Sequence, residues 1–158
     1  MKNTKKFLAM IICLVIVSVS LVACGGPKTL SCTIDELFAK IEKKNAEGTL
    51  TAFDSDRLSE DLQLKSEYFS EGKFKIPFES AGVEAIGFFK ASDDAKADKI
   101  LLLLQKYIND VKVAQKDYNA GNYDVACKAI AVKEGLYVYL IMSPKVEDIK
   151  TVINENLK

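Results

Sequence analysis

The run Leu136-Tyr-Val-Tyr-Leu-Ile-Met142 constrains the fold of this chain more than any other segment. It is far too short to span a bilayer, and it has no polar face. A strand without a polar face belongs in the middle of a sheet. Two other segments suit the flanks. Residues 83–91 spread Val83, Ala85, Ile86, Phe88 and Phe89 over both faces, whereas 125–133 carry Lys128 and end in Lys133. Glu134-Gly135 joins the latter to the central run as a tight hairpin. The expected sheet therefore has three strands in the order 83–91, 136–142, 125–133, with the middle strand antiparallel to both. A right-handed crossover through a helix makes the outer two parallel to each other.

Helices are expected around this sheet. Thr33 and Glu36 form a capping box ahead of Ile34, Leu37, Phe38 and Ile41, and Gly48 ends that helix. A short second helix covers 56–64 with Leu58 and Leu62 inward. Ser92-Asp93-Asp94 suits the start of a long helix over 95–118, since carboxylates favour its positive end. Ile100, Leu104, Tyr107, Val111, Ala114 and Tyr118 form its buried stripe. Asn119-Ala120-Gly121-Asn122 reads as a turn. Ser143-Pro144 opens a last helix with Val146, Ile149, Val152 and Ile153 inward. Between 65 and 81 the pattern is weak: Phe74, Ile76 and Phe78 alternate with Lys73 and Lys75, and Pro77 confines any strand there to an edge. The class is α+β with element order ααβαββα.

Ahead of this domain stands a targeting segment. Lys2, Lys5 and Lys6 precede an uncharged stretch from Phe7 to Leu21, which Leu21-Val22-Ala23-Cys24 closes. A basic start, an apolar core and small residues before a cysteine read as a bacterial lipoprotein signal. An uncleaved anchor helix or an ordinary secretory peptide are the competing readings. The expected division is a signal peptide over 1–23, a lipidated amino terminus and spacer over 24–32, and one domain over 33–158. Cys24 is the expected lipid attachment site. The basic start stays cytoplasmic, so all that follows Cys24 is expected on the outer leaflet of the cell membrane. Two or more acyl chains make such attachment effectively permanent.

Composition narrows the chemistry. Histidine is absent, which excludes histidine-dependent triads, His-ligated zinc and imidazole acid–base steps. The whole chain balances 22 basic against 22 acidic residues, and loss of the first 23 residues would leave three acids in excess. Neither a basic stripe nor a basic total points to nucleic acid. Cys32 and Cys127 pair in one disulfide or remain separate thiols, Cys127 then being a buried strand residue. Ser70-Glu71-Gly72-Lys73 has the S-x-x-K spacing of serine acyltransferases, without their partner motifs and with Gly72 disfavouring a helix. Asp54, Asp56, Glu60 and Asp61 begin like a calcium loop but place Leu58 and Ser59 where a ligand and glycine are required. Asp93-Asp94 are adjacent, so as a carboxylate pair they point apart, and helix capping is the plainer account. Phe74, Ile76 and Phe78 beside Lys73 and Lys75 suit lipid headgroups or a partner, against plain burial beneath helices. Tyr107, Tyr118, Tyr137 and Tyr139 fit helix or strand faces as core residues.

Val83-Glu-Ala-Ile-Gly-Phe-Phe-Lys-Ala91, Gln115 with Tyr118, and Gly135-Leu-Tyr-Val-Tyr-Leu-Ile-Met-Ser143 give the chain a resemblance across most of 33–157. It resembles an uncharacterised domain-of-unknown-function family carried by lipoproteins of clostridia and related Gram-positive bacteria. Where similar sequences often have a basic residue about one turn before the glutamine, this chain has Val111. The resemblance implies an address and a domain type, and no activity. The expectation is a non-catalytic binding or interaction domain without cofactor or metal, attached to the membrane by its lipid and meeting a protein or envelope partner. An envelope hydrolase using carboxylates or Ser70 with Lys73 is the alternative. A carrier of a small ligand beneath the sheet is a third reading.

Overall fold

The computed structural model of the protein describes residues 27–44, 50–77 and 82–158. The segment around Cys24, Gly48 and Phe78 lie outside the described residues. In chain order the elements are α1 (Ile34–Lys44), β1 (Leu50–Ala52), α2 (Ser55–Leu62), β2 (Phe69–Pro77), β3 (Ala85–Ala91), α3 (Asp94–Gln115), α4 (Ala120–Lys128), β4 (Ile130–Glu134), β5 (Tyr137–Met142) and α5 (Val146–Asn156). A single 3-10 turn, Ser66–Tyr68, leads into β2.

The α+β class stands, but the three-stranded sheet does not. Among the described residues the sheet has five strands in the order β1-β2-β3-β5-β4, each antiparallel to its neighbours. The expected core of the order is present: β5 lies between β3 and β4, with Phe88 opposite Tyr139 and Val132 opposite Tyr139 on its other side. Two strands extend the sheet beyond β3. β2 is no edge strand, because β1 covers its outer side from Leu50 to Ala52. Pro77 is tolerated because it is the last residue of β2, opposite Leu50.

The other correction concerns 120–128. Asn119 accepts a hydrogen bond from the Asn122 backbone amide at 3.0 Å and so caps a helix, not a turn. Val125 to Lys128 belong to that helix, and β4 begins only at Ile130. The long helix is accordingly shorter than expected, ending at Gln115. Ala97, Ile100, Leu104 and Ile108 are its buried residues, whereas Ala114 and Tyr118 are exposed. At the hairpin Glu134 pairs with Tyr137, leaving Gly135 and Leu136 as the two-residue loop. Gly135 adopts φ +62°, the left-handed value the first position of such a loop requires.

Period-two alternation sorts the strand residues into two layers. Val138, Leu140 and Met142 of β5, with Phe89 and Phe74, pack beneath α2, α3 and α4. Tyr137, Tyr139 and Ile141, with Ile86 and Phe88, pack beneath α1 and α5. Every residue of β5 is buried, as its lack of a polar face demanded. Val146, Ile149, Val152 and Ile153 close the second layer, although α5 starts two residues later than Ser143-Pro144 suggested.

One end of this sandwich gathers the chain. Leu30 bridges Leu157, and Thr29 and Lys158 exchange backbone hydrogen bonds at 2.6 and 3.0 Å. Ser31 donates to the Asn156 carbonyl at 2.8 Å, and the Leu30 amide donates to the Tyr137 hydroxyl at 3.2 Å. Residues 29–31 are thus part of the fold, not a free spacer. The β4–β5 hairpin lies at the same end, with Lys28 paired to Glu134 at 3.3 Å.

Candidate functional site

The Ser70 and Lys73 pair lies on β2, where no helical turn brings the two together. Ser70 sits at a register shift beside Phe69 and Glu71, and its hydroxyl donates to the Lys90 carbonyl at 3.3 Å. Lys73 points to the α1 side of the sheet, where its ammonium pairs with Asp35. Asp35 is held below the usual carboxylate range by that lysine, chiefly through the hydrogen bond. A lysine engaged by a carboxylate cannot serve as base to a serine bonded elsewhere. The nucleophile reading therefore has no geometry behind it.

The acidic cluster divides into structural parts. Asp54 accepts from the Arg57 amide at 2.9 Å and caps α2, while Asp61 pairs with the Arg57 guanidinium at 3.3 Å one turn on. The guanidinium also lies 3.8 Å from the centre of the Phe53 ring. Asp93 caps α3 through the Lys96 amide at 2.8 Å, and this bond lowers its pKa. Asp94 and Asp98 flank the Lys133 ammonium at 2.8 and 2.6 Å, raising its pKa and pinning β4 to the first turn of α3. Asp93 and Asp94 thus do separate structural jobs. No group of three or more potential metal ligands occurs among the described residues.

The lysine and phenylalanine stripe is split by the sheet. Phe74 is wholly buried, edge-on to Tyr107 at 5.4 Å and tilted on Phe53 at 5.1 Å. Lys73 and Lys75 emerge on the opposite face, lying over the Phe38 ring at 6.0 and 5.6 Å, with Lys75 bonded to Glu42 at 2.5 Å. Plain burial accounts for the aromatic part. Cys32 and Cys127 are free thiols at separate places. Cys32 touches Asn156 at 3.5 Å, whereas Cys127 is exposed on α4, not buried in a strand.

Surface features remain that the sequence did not single out. The end of α2 and the middle of α3 enclose a cleft of about 310 Å³ lined by Ser59, Gln63, Lys65, Tyr68, Lys99 and Leu103. Gln63 ends α2 with φ 58°, unusual for a residue other than glycine, and Lys99 lies 4.4 Å above the Tyr68 ring. The cleft lining thus carries two lysines, Lys65 and Lys99, and the hydroxyl side chains of Ser59 and Tyr68. The other feature is apolar. Leu102, Val113 and Tyr118 are 65%, 69% and 85% exposed along and just beyond α3. Next to them Gln115 accepts from the Asn122 side-chain amide at 3.3 Å, which ties the end of α3 to the start of α4. The exposure of Tyr118 follows from α3 stopping at Gln115, a boundary no spacing of apolar residues marked.

These features define an α+β domain built on a five-stranded antiparallel sheet with helices on both faces. The chain belongs to the DUF4358 family, a domain of unknown function, whose model matches residues 43–143, more than half of the chain. The match is narrower than the resemblance suggested, leaving out most of α1 and all of α5. No curated protein and no solved structure matches the chain.

Proposed function

We propose that the protein is an extracytoplasmic lipoprotein, held in the outer leaflet by acylated Cys24, whose domain works by contact with a protein or envelope partner. The anchor rests on the signal ending at Leu21-Val22-Ala23-Cys24. The contact role rests on one observation: Leu102 and Val113 on α3, and Tyr118 just beyond its end, stand open while Ser70, Lys73, Asp54, Asp93 and Asp94 are all tied into the fold. Exposed apolar side chains of this kind suit association more than catalysis.

Pull-down from detergent-solubilised native membranes tests this reading, with bare resin as control. The full protein is expected to retain a component that Val113→Glu and Tyr118→Ala variants lose. A component retained equally by all variants, or none above the control, contradicts it.

A further inference from the structure

The way the chain is gathered at one end bears on how the anchored domain stands on its membrane. Thr29 is fastened to Lys158 by two backbone hydrogen bonds, so the fold begins five residues after Cys24. Even fully extended, five residues reach only about 17 Å. The elements at that end are fixed by named contacts. Lys28 pairs with Glu134, Leu30 with Tyr137 and Leu157, and Ser31 with Asn156. The hairpin tip, Gly135 with 38%-exposed Leu136, lies beside Lys28. Lys133 joins the same end to the first turn of α3 through Asp94 and Asp98. From there α3 runs 22 residues, so its far end lies about 33 Å away. α4 returns from that far end to the start of β4, and α5 runs back toward the tether, finishing at Asn156.

We propose that the hairpin end, with Leu136, Lys28 and the Leu30–Leu157 bridge, rests against the lipid headgroups, and that the α3–α4 junction around Tyr118 is held outward. This inference rests on the Cys24 anchor proposed above. Lys28 and Lys133 at this end are paired with Glu134, Asp94 and Asp98, and the orientation follows from the short tether. The outward end is also the one that exposes Val113 and Tyr118.

Energy transfer to a labelled lipid tests the orientation on the full lipidated protein in phosphatidylcholine vesicles. A dye is placed on Leu136→Cys or Tyr118→Cys, both exposed positions, in a Cys32→Ser, Cys127→Ser background that keeps Cys24. Transfer from position 136 is expected to be about twofold or more above that from 118, given ends about 33 Å apart. A flexible Gly/Ser insert of about 12 residues between Gly26 and Pro27 is expected to shrink that difference. Equal transfer from the two positions in vesicle-bound protein whose Cys24 is acylated overturns the orientation while leaving the anchor in place. Protein that does not sediment with vesicles and carries a bare Cys24 overturns both.

Discussion

Tyr139 shows how one side chain joins several parts of the fold. It is fully buried in β5, stacked on Phe88 at 6.1 Å, and its hydroxyl donates to Glu134 at 3.0 Å. Burial is the first cause raising its pKa, and the bond to a carboxylate the second. The phenol therefore stays protonated in the fold at a pH where the unfolded chain has released its proton. Stability from this group is complete below the ordinary tyrosine pKa of about 10 and is lost as pH rises beyond it. Thermal unfolding followed from pH 8 to 11 is expected to show a steeper alkaline decline in the native protein than in Tyr139→Phe. Parallel declines would show that the phenol contributes nothing to it. Thr33 and Glu36 behave as their spacing predicted: each side chain accepts from the other's amide, at 3.2 and 2.9 Å, and the bond lowers the pKa of Glu36.

At the scale of elements, β2 explains both what was legible and what was not. Elements with a one-sided or wholly apolar pattern were readable: α1 from its capping box, β5 from its missing polar face, α5 from its inward residues. β2 alternates Phe74 and Ile76 with Lys73 and Lys75, which reads as a half-exposed edge. In the fold those lysines lie under α1, neutralised by Asp35 and Glu42, so a face that looks solvated is covered. Long-range ion pairs of this kind leave no local signature. β1 is three residues long, too short for any periodicity. The helix of α4 was masked by Val125 and Ala126, which suit a strand, while its cap, Asn119, reads equally as a turn residue. Gly72 was correctly a sign against helix, and the pairing supplies the reason: it faces Phe89 across the ladder. The Phe89 ring occupies the space a Cβ would need, as the Phe74 ring does at Gly87, where the approach is 2.7 Å. Gly72→Ala is expected to destabilise the protein by about 1–3 kcal/mol through displacement of the Phe89 ring. Denaturant titration measures it; an unchanged midpoint would mean the ring moves freely.

For the whole molecule, the family match divides the chain unequally. Residues 43–143 contain all five strands and one helical layer, whereas α1 and α5 form most of the other layer and lie largely or wholly outside the match. Asn156 binds this second layer together at the end where Thr29 meets Lys158: its side-chain oxygen accepts from the Lys40 ammonium at 2.6 Å and its side-chain amide donates to the Val152 carbonyl at 2.7 Å. The candidate site was less legible than the fold. Sequence patterns pointed to charged and nucleophilic groups, which turned out to be caps and ion pairs, and missed the exposure of Tyr118, which follows from α3 ending at Gln115. Membrane attachment remains the claim on which function and orientation both depend. Intact-mass measurement of the protein extracted from its native membrane tests it most directly. A chain beginning at Cys24 and heavier than its sequence by at least two acyl chains is expected; a chain that keeps residues 1–23 with Cys24 unmodified would contradict the proposed attachment.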